Sequence, residues 1–280
     1  MSSHGHRAGP GATGPGTTTV VIVDDHPVAT EGLRAHLAGA GCVVEAAVAA
    51  VEHAPAAATA PGSVTVCDLR LPGRSGADAI AYLAGRGATV LATSGVATGE
   101  EVLDAVAAGA RGFLPKTAPM ASFADAVAAL AGGSHHLSPA LAHYLRLDVG
   151  RRPLTEGEEL GPDALGLLGD VERGEPPGDA AARHGIGPER LAACLEAVWA
   201  AEVLRRRRYQ PTAREQEVLR LVGDGRTHRE LAAALHLSVH TVPDLLAGIK
   251  LKYLLTHPDT DPAAPPLTLA RRWSRELGLS

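Results

Sequence analysis

The sequence is poor in the features on which several classes of protein depend. Only 3% of its residues are aromatic, and its cysteines, Cys42, Cys67 and Cys194, lie far apart with no C-x-x-C pair. That spacing argues against a zinc knuckle or a disulfide framework and is typical of a reducing cytosol. No apolar run approaches the roughly 20 residues that a membrane span needs, and the first residues lack the apolar core of a signal peptide. We therefore expect a cytoplasmic protein with no membrane partner.

The chain also lacks a strong excess of either charge. Its formal net charge is −5 over 280 residues. Any contact with nucleic acid must therefore come from a local basic patch and not from the chain as a whole. Hydrophobic residues make up 45% of the sequence, which is enough for globular cores. The length exceeds that of one typical domain, so two or three compact units are expected.

Alternating strand and helix patterns in the first half predict a doubly wound α/β domain. The predicted strands cover 19–23, 43–48, 64–67, 89–92 and 111–114, and the predicted helices cover 27–38, 49–58, 77–83, 100–108 and 122–131. Because this alternation requires parallel crossovers, we expect a five-stranded parallel sheet covered by helices. Pro27 suits the first turn of its helix, with Asp25 or His26 as the cap. Residues 1–18 are rich in Gly, Pro, Ser and Thr, and we predict a disordered tail there.

Charged and polar side chains follow four of the predicted strands. Asp24 and Asp25 follow the first strand and Asp68 ends the third, which should be its neighbour in the sheet. Carboxylates at such short distances repel one another unless a cation lies between them, and an oxygen-lined site of this kind suits Mg²⁺. Ser94 adds a hydroxyl after the fourth strand, and Lys116 adds a cation after the fifth. Together these groups are what phosphoryl transfer to a carboxylate needs.

Each of these residues also has an ordinary structural explanation. An Asp pair before a helix is usually a cap, an Asp after a strand is usually a turn residue, and a lysine after a strand is usually solvated. Their coincidence at one rim of one sheet favours a site.

Residues 19–133 resemble the receiver domain of two-component response regulators, which has a CheY-like fold. The resemblance is carried by D-D-H-P, C-D-L-R-L-P-G-R-S-G, S-G and G-F-L-P-K, which occur in this order at fitting spacing. It implies that Asp68 is the phosphoacceptor. It further implies that Ser94 is the switch hydroxyl, Lys116 the salt-bridging lysine and Phe113 the switch aromatic.

The same resemblance implies a Mg²⁺ site. Its ligands would be the side chains of Asp24, Asp25 and Asp68 and the backbone carbonyl of Arg70. A rival hypothesis is a phosphatase with an Asp nucleophile, similar to haloacid-dehalogenase-like enzymes. Those enzymes need a second Asp two residues after the nucleophile, and Arg70 stands there instead. We therefore expect a protein that is not an enzyme.

The second half contains a repeat with a constant offset of 51 residues, which relates Leu168 to Leu219 and Ile186 to Leu237. Each copy reads as a helix, a Gly turn, a short Ala-rich helix, a sharp turn and a longer helix, which is helix-turn-helix architecture. Capping boxes mark predicted helix starts at Thr155/Glu158, Thr212/Glu215 and Thr227/Glu230. Residues 134–153 form a predicted linker, partly helical, and residues 258–280 a predicted tail with a basic amphipathic helix.

The second copy, residues 209–257, resembles the helix-turn-helix domain of LuxR/NarL-type regulators. The matching segments are T-A-R-E-Q-E-V-L-R-L-V and H-R-E-L-A-A-A-L-H-L-S-V-H-T-V. The predicted recognition helix starts after Ser238, with Val242, Leu246 and Ile249 facing the core. The candidates for DNA contact are Thr227, Ser238, His240, Thr241, Asp244, Lys250 and Lys252.

Two residues depart from that family's pattern. Pro243 replaces a lysine that contacts phosphate, and Leu245 replaces a histidine. A proline inside the helix would cost about 3 kcal/mol unless the helix kinks or starts later. Loss of the lysine would weaken binding to every DNA sequence.

The first copy, residues 154–208, departs further from the pattern. Its recognition-helix equivalent offers Glu189, Arg190 and Glu196 and little positive charge. We interpret it as a degenerate helix-turn-helix that serves packing or dimerisation. The run of arginines at 205–208 is either a solvated face or a phosphate contact.

The whole pattern predicts a response regulator of the NarL/FixJ family, phosphorylated on Asp68 by a cognate histidine kinase. Its expected partners are promoter DNA and a second copy of itself in a homodimer. The alternative is a response regulator whose output is protein–protein interaction, because Pro243 spoils the recognition helix.

Overall fold

The computed structural model describes residues 17–151, 160–257 and 260–279. The predicted disordered tail lies outside the described residues except for its last two, and so does the predicted capping box at Thr155/Glu158.

The first half is a five-stranded, all-parallel sheet with helices on both faces, which confirms the predicted fold class. The strands are β1 (Thr19–Val23), β2 (Val43–Val48), β3 (Val64–Asp68), β4 (Val90–Ser94) and β5 (Ala110–Pro115), in the order β2-β1-β3-β4-β5. Strand β1 pairs with β3 on one side and β2 on the other. Strand β3 is buried along its whole length, as its run of mainly β-branched residues predicts for a central parallel strand.

Four α-helices cover this sheet. They are α1 (Pro27–Gly39), α2 (Gly76–Ala84), α3 (Gly99–Ala107) and α4 (Met120–Ala131). Alternate residues of β1 face opposite layers: Val20 and Ile22 join the apolar cluster with α1 and α4, whereas Val21 and Val23 join the cluster with α2 and α3. The carboxyl ends of the strands are left at one rim.

The prediction of an α-helix over residues 49–58 was wrong. This crossover consists of two short 3₁₀ turns, Val51–His53 and Ala56–Thr59. Pro55 separates them and has no N–H to continue a helix, and Ala54 before it is extended with ψ 126°.

The predicted linker contains α5 (Pro139–Arg151), which packs into the core of the sheet domain. Leu137, Leu141 and Leu145 are fully buried in the same cluster as α2 and α3. The chain passes very close to β5 on its way there, since a Cβ on Gly112 would lie 3.0 Å from the Cβ of His136. The segment is therefore a structural part of the first domain and not a free connection.

Two three-helix units follow. The first has α6 (Pro162–Glu172), α7 (Pro177–Arg183) and α8 (Pro188–Tyr209), and the second has α9 (Ala213–Gly223), α10 (His228–Leu235) and α11 (Thr241–Thr256). The first helices of the two units begin 51 residues apart, at 162 and 213, and so do the second helices, at 177 and 228. The third helices begin 53 residues apart, at 188 and 241, so the structure follows the sequence repeat in the order of the helices and in the spacing of the first two.

The two units pack differently. Leu167, Val198 and Trp199 of the first unit belong to the apolar cluster that includes α2, α3 and α5. The second unit forms a separate core, which also takes in α12 (Pro266–Glu276) through Leu269 and Trp273. The helix predicted as a tail is thus packed against α9 and α11. Among the described residues, no helix is both long and apolar enough to cross a membrane.

Candidate phosphorylation site and output surface

The predicted carboxylates meet at the carboxyl rim of β1 and β3. Val23 of β1 pairs with Cys67 of β3, so the next residues, Asp24 and Asp68, stand side by side. Both are buried, with Asp68 only 1% exposed. One ligand atom from each of Asp24, Asp25, His26 and Asp68 falls in a cluster whose members lie within 4.8 Å of one another.

Lys116 joins these carboxylates. Its Nζ lies 2.7 Å from Oδ2 of Asp24 and 2.7 Å from Oδ2 of Asp68. Burial would lower the pKa of Lys116, but its hydrogen bonds and charge attraction to both carboxylates outweigh burial and raise that pKa. The lysine is therefore a fixed cation between two buried acids.

His26 was not among the predicted ligands, yet it belongs to the cluster. Its Nδ1 lies 3.1 Å from Asp24 and 3.0 Å from Asp25. His26 is the N-cap residue of α1, but its side chain makes no capping hydrogen bond. The expected role of Asp25 or His26 as a side-chain cap is therefore not seen, because the imidazole is turned toward the acids. The D-D-H sequence was the only hint of this role.

Ser94 and Phe113 lie on the strands next to the cluster. Ser94 ends β4 and is buried, and the preceding Thr93 pairs with Asp68. The Oγ of Ser94 accepts a hydrogen bond from the Val96 backbone N–H at 3.3 Å. Phe113 is buried in the cluster that contains α3, and its carbonyl accepts a 2.6 Å hydrogen bond from Ser138 Oγ. The two predicted switch residues thus lie on neighbouring strands.

Arg70 connects the Asp68 loop to the loop after β4. Its backbone N–H donates to Oδ1 of Asp68 at 3.0 Å. Its side chain donates to the carbonyl of Val96 at 3.3 Å and lies 2.5 Å from a carboxylate oxygen of Glu101 in α3. From the sequence only the backbone carbonyl of Arg70 was expected to take part in the site, and this side-chain bridge was not predicted.

The donor set at the rim fits a divalent cation. Asp24, Asp25 and Asp68 offer hard carboxylate oxygens, which Mg²⁺ prefers. Asp25 is the most exposed of the three, with a third of its side chain open to solvent, so the cluster has an open side for water ligands.

The predicted DNA-contact residues fall into two groups, of which the first is exposed. Thr227 caps α10, where its side chain accepts from Glu230 N–H in a capping box. Ser238 and Thr241 share a 2.8 Å hydrogen bond between their hydroxyls at the start of α11. His240 and Asp244 are exposed beside them.

Lys250 and Lys252 form the second group and make contacts within their own domain. Lys250 Nζ donates to the carbonyl of Ala264 at 2.8 Å. Lys252 Nζ lies 2.7 Å from Glu215, the capping-box residue of α9. Contacts 37 residues apart in the chain cannot be inferred from helix periodicity. In this arrangement both ammonium groups are bonded to oxygens of the protein itself.

Pro243 does not break the helix. Helix α11 begins at Thr241, so Pro243 lies in its first turn, where backbone N–H groups have no partner within the helix. The penalty of about 3 kcal/mol for an interior proline therefore does not apply. The later helix start, which the sequence left open, is the arrangement found.

The arginine run is neither a solvated face nor exposed for phosphate contact at its first two positions. Arg205 and Arg206 are 0% and 2% exposed. Both pair with Glu202 of the same helix, and Arg206 also pairs with Glu100 and Asp104 of α3. The spacing of Glu202 to Arg205 and Arg206, three and four residues, was the available sequence signal.

A known protein family matches the sequence of the first domain. Residues 20–128 match the model of the response regulator receiver domain. No curated protein sequence matches the chain.

Solved structures of response regulators resemble the chain. ChrA, from a heme-sensing two-component system, is 26% identical over 95% of this chain and 100% of its own, with a TM-score of 0.42. The receiver domain of a NarL from Mycobacterium tuberculosis is 32% identical over 42% of this chain and 99% of its own, with a TM-score of 0.39. RcsB from Salmonella enterica serovar Typhimurium bound to a promoter is 17% identical over 91% and 98%, with a TM-score of 0.47. All three TM-scores are below 0.5, so these likenesses carry no argument, and the match to the receiver domain concerns residues 20–128 alone.

Proposed function

We propose that the protein is a two-component response regulator of the NarL/FixJ family that is phosphorylated on Asp68, because residues 20–128 match the response regulator receiver domain. A cognate histidine kinase supplies the phosphoryl group, and the output half binds promoter DNA as a homodimer. The observation that carries the proposal is the Lys116 ammonium held 2.7 Å from the buried carboxylate of Asp68 beside two further acids.

The residues at the rim account for the phosphoryl transfer step. The P–N bond of the kinase phosphohistidine breaks as an Asp68 Oδ–P bond forms, and the freed imidazole takes up a proton. Lys116 neutralises charge on the phosphoryl oxygens. Mg²⁺ held by Asp24, Asp25 and Asp68, with the Arg70 carbonyl as a further candidate ligand, would supply the remaining positive charge when bound. With Arg70 in place of a second acid, the product is held and not turned over.

Ser94 and Phe113 connect this event to the surface of the receiver. The Ser94 hydroxyl stands one strand away from Asp68 and holds the loop that leads to α3. A phosphoryl group on Asp68 offers the Ser94 O–H a charged acceptor, and that hydrogen bond would be stronger than the one that Ser94 Oγ now accepts from the Val96 N–H. Turning of Ser94 would draw in that loop and shift the packing around Phe113.

The test of DNA output is a mobility shift with DNA from the protein's own promoter region, with and without acetyl phosphate. We expect binding that acetyl phosphate changes in the native chain but not in Asp68→Asn. Absence of binding at low salt in both states would overturn DNA output while leaving phosphorylation intact.

A second candidate output, protein–protein interaction, is supported by the exposed face of α11. Along Thr241–Thr256, all of which is described, the exposed residues carry no positive charge. They are Thr241, Pro243, Asp244, Ala247, Gly248 and Leu251, with Leu251 60% exposed. A helix that reads DNA usually presents cations or amides to bases and phosphates.

Pro243→Lys separates the two outputs. If the output is protein–protein interaction, the lysine creates an affinity for DNA that the native chain lacks. If the output is DNA binding, the native chain already binds, and the lysine adds one phosphate contact, which steepens the salt dependence of the affinity.

We further interpret the first three-helix unit as a degenerate copy of the second. Its long helix carries Glu189, Arg190 and Glu196 where a reader would carry cations, and Glu196 is paired with Arg111 of β5 at 3.2 Å. The role of this copy is packing against the receiver.

A further inference from the structure

Three helices of different parts of the chain meet at a buried group of charges. Arg205, Arg206 and Glu202 of α8 are almost inaccessible to solvent, and so is Asp148 of α5. Glu100 and Asp104 of α3 approach the same group from the receiver, with side chains 28% and 43% exposed. We call Arg206 and its four carboxylate partners, Glu100, Asp104, Asp148 and Glu202, the Arg206 clamp.

Arg206 makes contact with all three helices. Its Nη1 donates to Glu100 and, at 3.0 Å, to Asp104. Its Nε donates to Glu202 at 2.9 Å, and its Nη2 lies 3.6 Å from Asp148. Burial would lower the pKa of Arg206, but the surrounding carboxylates outweigh it and raise the pKa, so the side chain stays charged.

Buried ion pairs between two helices add little to the stability of the fold, but they allow the helices to separate more easily than an apolar interface does. Desolvation of the charges roughly cancels their attraction, so the assembled pairs add little beyond what an apolar contact would give, but the loss of carboxylates on one side leaves Arg206 with too few partners and favours separation. When the helices separate, each charge regains its hydration. An apolar interface of the same size would expose hydrophobic surface on opening and resist separation.

The receiver end of the clamp is tied to the phosphorylation site. Glu100 and Asp104 lie on α3, which begins five residues after Ser94. Arg70 holds the loop between them through the Val96 carbonyl and holds α3 through Glu101, while its backbone N–H is bonded to Asp68. A change at Asp68 therefore acts on the helix that carries two of the clamp's carboxylates.

The other end of the clamp belongs to the output half. Helix α8 runs from the first three-helix unit to Tyr209, next to the start of the second unit, and also contacts α11. Earlier in α8, before the clamp residues, Trp199 Nε1 donates to the carbonyl of Ala110 in β5 at 2.9 Å, and its ring lies against His135. The helix is thus held on the receiver by an apolar anchor and by the ionic clamp.

We propose that the Arg206 clamp is the joint through which the phosphorylation state of Asp68 reaches the output half. Before phosphorylation it holds α8 on α3 and the two halves closed. Phosphorylation shifts α3, separates Glu100 and Asp104 from Arg206 and frees the carboxyl half of α8 and the domain beyond it. This mechanism rests on the proposed response regulator function.

The test weakens the clamp from its exposed side without removing a buried arginine. Glu100→Gln/Asp104→Asn keeps the size of both side chains and removes two charges. The matched control is Asp78→Asn/Asp125→Asn, which removes two exposed receiver carboxylates, one of them likewise in the first turn of a helix. Amide hydrogen exchange is followed over 202–209, the part of α8 beyond the apolar anchor, in the full chain, with and without acetyl phosphate and Mg²⁺.

In the native chain and the control, we expect acetyl phosphate to speed exchange of the α8 amides about tenfold. In Glu100→Gln/Asp104→Asn the same speed is expected without acetyl phosphate, and acetyl phosphate adds little. Tenfold corresponds to about 1.4 kcal/mol of opening free energy. If this variant exchanges like the control without acetyl phosphate, the clamp does not hold α8 and the proposal is wrong.

Failure of the clamp and failure of the proposed function give different results. Mass spectrometry shows whether Asp68 has gained a phosphoryl group. If it has, and acetyl phosphate still leaves the exchange rate of the native α8 amides unchanged, the clamp does not transmit the phosphorylation state. If no phosphoryl group is gained, the proposed function fails, whereas the comparison of variant and control without acetyl phosphate still reports whether the clamp holds α8. Arg206→Met provides a second variant, for which the same open exchange is expected, and a closed α8 in it overturns the proposal.

Discussion

The ammonium of Lys116 lies 2.7 Å from Oδ2 of Asp68 and equally close to Asp24, so one cation serves two carboxylates that water barely reaches. The exposed fractions of the two acidic side chains are 5% and 1%. This arrangement places a cation directly beside the carboxylate of the proposed phosphoacceptor at the rim of the sheet. It also makes the site sensitive to the loss of the lysine.

Lys116→Met is expected to lower the free energy of unfolding by about 3 kcal/mol in metal-free buffer, because it leaves buried carboxylates without a cation. Added Mg²⁺ should recover part of that loss. Urea denaturation with EDTA and with Mg²⁺ measures both effects. Equal stability of native chain and variant in EDTA would contradict the role given to the lysine.

Mg²⁺ should raise the melting temperature of the native chain in a concentration-dependent way, because it binds the folded cluster and not the unfolded chain. Asp25→Asn removes one negative charge from the ligands at the open side and should weaken binding about tenfold, or by about 1.4 kcal/mol. Differential scanning fluorimetry across a Mg²⁺ series gives the affinities. Asp78→Asn is the control and should bind as the native chain does, since Asp78 lies in α2 and outside the cluster.

Pro243→Ala should change the free energy of unfolding by less than about 0.5 kcal/mol, because the proline occupies the first turn of α11. Ala247→Pro, four residues further into the same helix and also exposed, should cost about 3 kcal/mol. Urea denaturation of both variants checks the comparison. A large gain in stability from Pro243→Ala would show that the proline strains the native helix.

The contact between α5 and α6 should weaken in acid. Hydrogen bonds from Arg146 and His143, with their charges, lower the pKa of Glu172 to about 2. Because the folded pKa is depressed, this contribution to stability is full above the ordinary glutamate pKa of about 4.3 and is lost as pH falls toward 2. Melting temperatures of the native chain and Glu172→Gln should differ at pH 6 and converge in that window. A difference that persists unchanged to pH 2 would contradict the assignment.

The sequence predicted the sheet and the rim because both depend on local patterns. Runs of apolar β-branched residues indicate the strands, and the alternation with helices indicates that the strands are parallel. The residues that follow the strands then lie together at the carboxyl rim of the sheet. The crossover at 49–58 was mispredicted because alanine content favoured a helix, whereas Pro55 decided the backbone.

The output half was less predictable because its contacts are long-range. Lys252 pairs with Glu215, and Arg206 reaches Glu100 across 106 residues of chain. No local pattern distinguishes a lysine that faces DNA from one that bridges two helices, and the spacing of Glu202 to Arg205 and Arg206 indicates pairing within α8 but not burial. The repeat predicted the helices of both units but not that the first would pack on the receiver.

The central claim is that Asp68 accepts a phosphoryl group. The most direct measurement is the intact mass of the full chain after incubation with acetyl phosphate and Mg²⁺. The account predicts a gain of one phosphoryl group in the native chain, its loss on hydroxylamine treatment as for an acyl phosphate, and no gain in Asp68→Asn. An unmodified native chain, or an equal gain in Asp68→Asn, would contradict it.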